Sequence, residues 1–389
     1  MTIKTMEPTD RNDTAAFASL GSPVWRASTV VFATLDEFVA RRDRLPDGYT
    51  YGTTGTPTQR ALEQAIAGLD QAAHCVVFPS GQAAICATLL TLLRSGDHLL
   101  MVDSAYGPAR RFASERLRAL GIEVDFYPPR IGAAIGALIK PHTRLVWMES
   151  PGTMTMELQD VGAITAAARA RGVATGIDNT WASPLGFCAA EHGVDLVVHA
   201  CTKYMGGHSD VLMGSVSTAS ESLYRALREL QAGMGLAVSA EDCFLVDRGL
   251  QTLQVRQQRQ AASALDLAQR LVPHPMVKQV LYPPLPGNPD HPLWARDHRL
   301  GGCTLSLQLQ DADFDAYRCL FGALKTFRLG ASWGGVHSVA AYCPAEELAA
   351  RQHGEVSGPL VRLSVGLEDA QRLADDVLGA LRCFAQHRP

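Results

Sequence analysis

Residues 173–210 read VATGIDNTWASPLGFCAAEHGVDLVVHACTKYMGGHSD. Two short apolar runs, 173–177 and 195–199, have the length and β-branched content of buried strands. Each is followed by a residue that can do chemistry. Asp178 directly follows the first run, and Lys203 follows the second within HACTKYMGGHSD, 199–210. A carboxylate at the buried end of a parallel strand is costly unless it is paired, although it can also serve as a turn or helix cap. A lysine after a strand is commonly a solvated loop residue. In a partly apolar site its pKa falls, and it can then form a Schiff base.

Outward from this stretch the same alternation continues. The run 75–78 predicts a strand, the Ser80-Gly81 turn leads into a helix over 82–93, and 99–102 predicts another strand. A helix over 108–120, a strand over 145–148 and a helix over 161–171 follow. Upstream, Thr56, Pro57 and Gln59 form a capping-box pattern, with an N-cap, proline at the first position and glutamine at the third. Short apolar strands alternating with helices predict an α/β fold with a mostly parallel sheet covered on both faces. Ligands of such sheets bind outside the carboxyl ends of the strands. Residues 1–50 show no strong period and read as an extended arm, and 51–249 read as the α/β domain. Beyond about 250 the pattern changes: a long helix over 250–271, a proline-rich loop over 282–289 and a strand over 303–309 predict a smaller C-terminal α+β domain, 250–389.

Composition excludes several classes. Of 389 residues 47% are hydrophobic and 19% charged, with a net charge of −4, which argues against disorder, a broad nucleic-acid surface or an electrostatic membrane anchor. No apolar stretch is long enough to cross a bilayer, and residues 1–14 are polar without a signal-like apolar core. The nine scattered cysteines contain no CxxC pair, so no metal is expected, and a cytoplasmic protein with free thiols is the simplest reading. Only five of the 35 basic residues are lysine, which singles out Lys203 further.

Two more features sit at strand ends. Ser80-Gly81-Gln82 lies at a strand-to-helix turn, where outward N–H groups and the helix dipole favour an anion. There is no GxGxxG or GxxxxGK[ST] run, so the dinucleotide and P-loop readings lack support. Tyr106, a few residues beyond 99–102, can stack on a flat ring. A ring to stack, a ring nitrogen for a carboxylate, a phosphate and an aldehyde for a lysine together describe pyridoxal 5′-phosphate.

The runs 51–58 (YGTTGTPT), 149–151 (ESP), 177–181 (IDNTW), 202–210 (TKYMGGHSD), 332–335 (SWGG) and 361–369 (VRLSVGLED) resemble the Cys/Met-metabolism family of pyridoxal-phosphate enzymes of fold type I. The likeness runs in order from about residue 20 to the C-terminus. Within the family, Ser332-Trp333-Gly334-Gly335 is similar to bacterial cystathionine β-lyases, where γ-lyases and γ-synthases more often carry Ser-Leu-Gly-Gly. The resemblance implies that Lys203 holds the cofactor and takes the Cα proton, Asp178 keeps the pyridine nitrogen protonated, and Tyr106 stacks on the ring. It further implies that Gly81, Gln82 and Thr202 bind the phosphate, that Arg362 grips the substrate carboxylate, and that Ser332 and Trp333 line the substrate side. Tyr51 would reach in from a neighbouring subunit of a homotetramer built as a dimer of dimers.

Three positions depart from the family pattern. Thr53 stands where a phosphate-binding arginine is common, Ala200 where serine is common, and Val336-His337 follows Gly335 where relatives read x-Glu. The leading expectation is β-elimination of cystathionine or a related S-substituted cysteine to a thiol, pyruvate and ammonia. γ-Elimination or γ-replacement is the second. A non-catalytic assembly or regulatory protein is the third, against which the set of Lys203, Asp178, Tyr106 and Arg362 argues.

Overall fold

The computed structural model describes residues 20–387. Lys4, the polar stretch 1–14 and the first part of the 1–50 arm lie outside the described residues. From residue 20 the arm is irregular, with one helical turn at Leu35–Val39 capped by Thr34 and a 3₁₀ turn at Ala40–Arg44.

Seven strands form the first sheet: β1 (His74–Phe78), β2 (His98–Val102), β3 (Glu123–Tyr127), β4 (Thr143–Glu149), β5 (Ala174–Asp178), β6 (Leu196–His199) and β7 (Gly214–Thr218). Their order is β1-β7-β6-β5-β4-β2-β3. All neighbours run parallel except β7, which is antiparallel to both β1 and β6. β2, β6 and β7 are buried along their whole length, as expected for strands with both faces covered.

The helix Gly81–Leu92 starts where Ser80 Oγ accepts the N–H of Ala83. Thr56 caps the helix Pro57–Asp70 by accepting from Gln59 N, as the sequence predicts, but the reciprocal half of the box is replaced: the Gln59 amide donates to Glu63 at 3.1 Å. Glu63 is buried between Arg60 and Arg228, which makes it the stronger acceptor.

A second sheet collects the C-terminal strands β8 (Val277–Leu281), β9 (Thr304–Leu309), β10 (Arg328–Leu329), β11 (Val339–Cys343) and β12 (Leu360–Ser364), in the order β10-β11-β12-β9-β8. The helix Leu253–Leu271 precedes this sheet. The helices Phe314–Ala323 and Ala370–Gln386 pack side by side and bring Cys319 and Cys383 into a disulfide, with Cα atoms 5.7 Å apart. The expectation of free thiols throughout is therefore corrected for this pair, because the spatial neighbourhood of two helices 64 residues apart leaves no trace in cysteine spacing. The other seven cysteines are free.

Two further differences concern local structure. The predicted helix over 108–120 is α-helical only at Gly107–Arg111 and then widens into π-type turns over Phe112–Leu117. The sequence reading has no strand at β3 or β7, and in the second sheet it has β9 but not β8, β10, β11 or β12. EVDFY mixes two acids into its run and GSVST is small and polar, so neither carries a strong apolar signal. Among the described residues no helix is long and apolar enough to cross a membrane.

Candidate active site

A cleft opens at the carboxyl ends of β1, β2, β4, β5 and β6, where the loops after these strands face the second sheet. One wall comes from the first sheet and carries Gly81, Gln82, Tyr106, Asp178, Thr202 and Lys203. The other comes from the second sheet and carries Thr304, Ala331, Trp333 and Arg362. Eight of the ten residues singled out in the sequence thus line one cavity. Ser332 touches it through its hydroxyl, which accepts from Lys203 Nζ at 2.9 Å. Tyr51 does not line it, and its side chain is half exposed on the arm.

Asp178 ends β5 and stands in register with Glu149 at the end of β4. Its Oδ1 accepts the backbone N–H of Thr180 at 3.0 Å and also the Thr180 hydroxyl. The same hydroxyl oxygen accepts the N–H of Ala200 at 2.8 Å, so the loops after β5 and β6 lock the carboxylate together. Behind it, buried His199 bonds Asp70 at 2.8 Å. Burial raises the Asp178 carboxyl, and the Thr180 bonds, His199 and Lys203 oppose that rise.

Lys203 sits on the turn after β6, its N–H bonded to Ala200 O at 2.9 Å. Burial, then the nearby Arg362 cation, lower its amine to about 8, so a sizeable neutral fraction exists near neutral pH. Nζ lies 5.4 Å from the Trp333 ring centroid. Gly334 takes φ +82°, and a Cβ there would lie 3.2 Å from Lys203 Cβ, so only glycine lets the second-sheet loop settle this closely on the lysine.

The Ser80 cap serves Ala83 N, which leaves the first N–H groups of the helix, at Gly81 and Gln82, without an intrahelical partner at the cleft. A Cβ on Gly81 would meet Ala200 Cβ at 2.6 Å. Glycine at 81 and a small residue at 200 therefore bring the helix N-terminus up against the β6 turn. The Thr202 hydroxyl is engaged with Met213, donating to its O at 3.1 Å and accepting its N–H at 2.9 Å. These donors fit a phosphate, with Asp178 and Lys203 placed for a ring nitrogen and an aldehyde.

Arg362 lies on β12, mostly buried. Nη2 donates to Ala331 O at 2.6 Å, and among the described residues no carboxylate forms an ion pair with it. Burial lowers its pKa. A buried guanidinium in a cleft with only backbone and sulfur partners is suited to a ligand carboxylate.

The three departures have different fates. Ala200 lines the cleft, as just described. Thr53 lies elsewhere, lining a cavity with Arg60, Arg225 and Arg228. His337 is outside the cleft lining, its side chain 78% exposed and 4.0 Å from Glu368. Lys203 and Arg362 are the two cationic side chains of the lining.

Sequence reading missed Glu149, Thr153, Met154 and Thr180 as site residues. Glu149 carries the same signal as Asp178, a carboxylate directly after a predicted strand. Met154 is placed by a backbone of φ +67°, which no local pattern announces.

Comparison with known proteins gives the family. The family model described as Cys/Met metabolism PLP-dependent enzyme matches residues 3–382. The chain is 40% identical over 362 residues to a protein named putative cystathionine beta-lyase of Rhizobium johnstonii, covering 92% of this chain and 90% of that one. It is 37% identical over 377 residues to cystathionine beta-lyase MetC of Escherichia coli, covering 94% of each. Among solved structures, cystathionine gamma synthase of Xanthomonas oryzae pv. oryzae, in complex with aminoacrylate and cysteine, superposes with a TM-score of 0.87 at 31% identity, covering 95% of this chain and 94% of that chain.

Proposed function

The chain belongs to the Cys/Met metabolism family of pyridoxal-phosphate-dependent enzymes, and from that premise we propose that it is a carbon–sulfur lyase. Its reaction in this reading is β-elimination of cystathionine, or of a related S-substituted cysteine, to a thiol, pyruvate and ammonia. The observation that carries the reading is the second-sheet wall. There Ser332 and Trp333 press on Lys203, with the hydroxyl accepting from Nζ and the indole beside it. Relatives at 37 and 40% identity that bear the β-lyase name support it. The γ-synthase likeness keeps γ-chemistry as the second reading.

Lys203 would hold the cofactor's aldehyde, Asp178 its ring nitrogen, and Gly81 and Gln82 its phosphate, with Tyr106 stacked on the ring. When bound, the cofactor supplies an electron sink for the charge left at Cα. Arg362, held by backbone carbonyls and with no carboxylate partner of its own among the described residues, would bind the substrate carboxylate through its guanidinium and so fix which substrate bond faces the lysine. The Lys203 amine, once released, takes the Cα proton. Electrons of the broken Cα–H bond form the Cα–Cβ double bond as the Cβ–S bond breaks. The sulfur leaves with its electron pair and is protonated to the thiol. Hydrolysis of the remaining three-carbon enamine yields pyruvate and ammonia. Burial first, then Glu149 and Asp178, raise the Tyr106 phenol above its ordinary value, and Arg362 opposes them.

Tyr51, half exposed on the arm, completes the site of a second copy, so the active enzyme in this reading is a homo-oligomer, a dimer of dimers. The deciding experiment assays pyruvate against 2-oxobutyrate over a panel of sulfur amino acids. Pyruvate from cystathionine is expected. 2-Oxobutyrate as the main keto acid overturns β-elimination in favour of γ-chemistry.

A further inference from the structure

Glu149 is the one acidic residue lining the cleft besides Asp178, and the mechanism above leaves it without a task. Its side chain is buried, 7% exposed. Oε2 accepts the backbone N–H of Tyr106 at 2.6 Å, and Oε1 bonds the Thr153 hydroxyl. Tyr106 belongs to the loop after β2, while Thr153 belongs to the loop after β4 that also carries Met154 and Met156 into the cleft. Arg351 fixes the second loop from its far side, donating to Thr153 O at 2.6 Å and bonding the Thr155 hydroxyl. The outer end of that loop is thus tied to Arg351, and its inner end to the Tyr106 loop twice, by the Glu149 carboxyl at Tyr106 and by the Thr153 N–H donating to Ser104 O at 2.9 Å.

We propose that Glu149 is a positioning residue whose carboxyl group spans the two loops and holds the Tyr106 ring at a fixed place over the cleft. The proposal rests on the reading of Tyr106 as the stacking residue. Two features favour a neutral carboxyl for this task. Asp178 stands beside Glu149 in register, so two ionised carboxylates here would repel each other in a buried setting. Both carboxyl groups accept two hydrogen bonds, but Asp178 also has the His199 and Lys203 side chains nearby, so of the two it is the better placed to carry the charge. Burial first and then Asp178 push Glu149 up to about 8, against the pull of Thr153, the Tyr106 N–H and Arg351. In the structure the Thr153 hydroxyl donates to Oε1; with a neutral acid that hydroxyl can turn to accept the carboxyl proton while Oε2 still accepts from the Tyr106 N–H. Glutamine would reproduce that pattern.

The test uses the full-length, cofactor-loaded enzyme. Glu149→Leu removes both bonds, Glu149→Asp keeps a carboxyl group but is one methylene too short to span, and Glu149→Gln keeps the span with a neutral amide. For each, three quantities are read: amide hydrogen exchange at Tyr106, visible circular dichroism of the bound cofactor, and kcat with KM. Glu149→Leu and Glu149→Asp are expected to speed Tyr106 exchange, weaken the dichroism and lower kcat by up to about a hundredfold, with KM changing less. Glu149→Gln is expected to recover most of each loss. Unchanged exchange and dichroism in Glu149→Asp overturn the proposal, as does a Glu149→Gln variant no better than Glu149→Asp. Should Glu149→Leu not fold, the aspartate and glutamine variants decide alone. Exchange and dichroism do not depend on which substrate is turned over, so a failure of the β-lyase reading leaves this test intact.

Discussion

The two walls of the cleft are built differently. The first-sheet wall hangs on strand ends: Asp178 is the last residue of β5, Glu149 the last of β4, and Lys203 follows β6 by a single turn. Its polar groups are wired to one another, Ala200 N to Thr180, Thr180 to Asp178, and Glu149 to Tyr106. The second-sheet wall is sparser. Arg362 rests on the carbonyls of Ala331 and Ser332 and on Met154 sulfur, and among the described residues it has no charged partner. In the proposed reading the first wall is preorganised for the cofactor, which serves turnover after turnover. The second leaves a cation unpaired for a ligand that comes and goes. Preorganisation without reorganisation at the moment of reaction is what favours fast chemistry, while a mostly buried cation without an anionic partner favours binding.

That division of labour gives the order of expected effects. On the first wall, Lys203→Ala is expected to lower kcat by at least about 10³-fold with the fold intact, since the cofactor anchor and the Cα base go together. Steady-state turnover of cystathionine checks it, and activity within a factor of ten of the parent would place the base elsewhere. On the second wall, Arg362→Lys is expected to raise KM roughly 10- to 100-fold and to change kcat less. A point-charge ammonium cannot reproduce the guanidinium fork, and one charge-assisted bond is worth about 1.5–3 kcal/mol. If both variants acted on kcat alone, the contrast between the walls would be lost.

A third outcome sharpens the first wall. Lys203 is lowered to about 8, and only the neutral amine attacks an aldehyde, so capture of added cofactor by stripped enzyme should accelerate as pH rises and level off above about 8. Stopped-flow absorbance checks it, and a rate flat from pH 6 to 9 would contradict the buried setting of the amine. The smallest effect concerns Thr53. The cationic side chains of the lining are Lys203 and Arg362, and the Thr202 hydroxyl is occupied by Met213, so the phosphate end depends on the backbone at Gly81 and Gln82. Dialysis is therefore expected to strip the parent readily, and Thr53→Arg, which in the homo-oligomer reading serves the phosphate of a neighbouring copy, to slow the loss and raise Tm by mass action in the presence of cofactor. Equal retention in parent and variant would mean that the phosphate is already fully served.

Legibility followed the same division. On the first wall, short apolar runs ending in Asp178 and leading to Lys203 could be read because strand burial on both faces leaves a local signature and places the next residue at the sheet edge. The strands β3 and β7 escaped because their burial comes from neighbours: Gly214–Thr218 is small and polar yet lies fully buried between β1 and β6. On the second wall, Trp333 and Arg362 carried no structural signal of their own. Family resemblance pointed to them, and folding then placed them opposite Lys203.

By itself the sequence determined the layered α/β class, the order of the strand-ending residues and the cofactor chemistry they serve, since each rests on patterns a few residues long. Tertiary structure alone decided which carboxylates share a buried floor, and that Glu149 reaches Tyr106 43 residues away. It also decided that Gly81 lies against Ala200 and that Cys319 meets Cys383. Those facts depend on how separate strands register and how distant helices pack. Such long-range contacts are selected by the burial of the whole chain, and no local window of sequence records them.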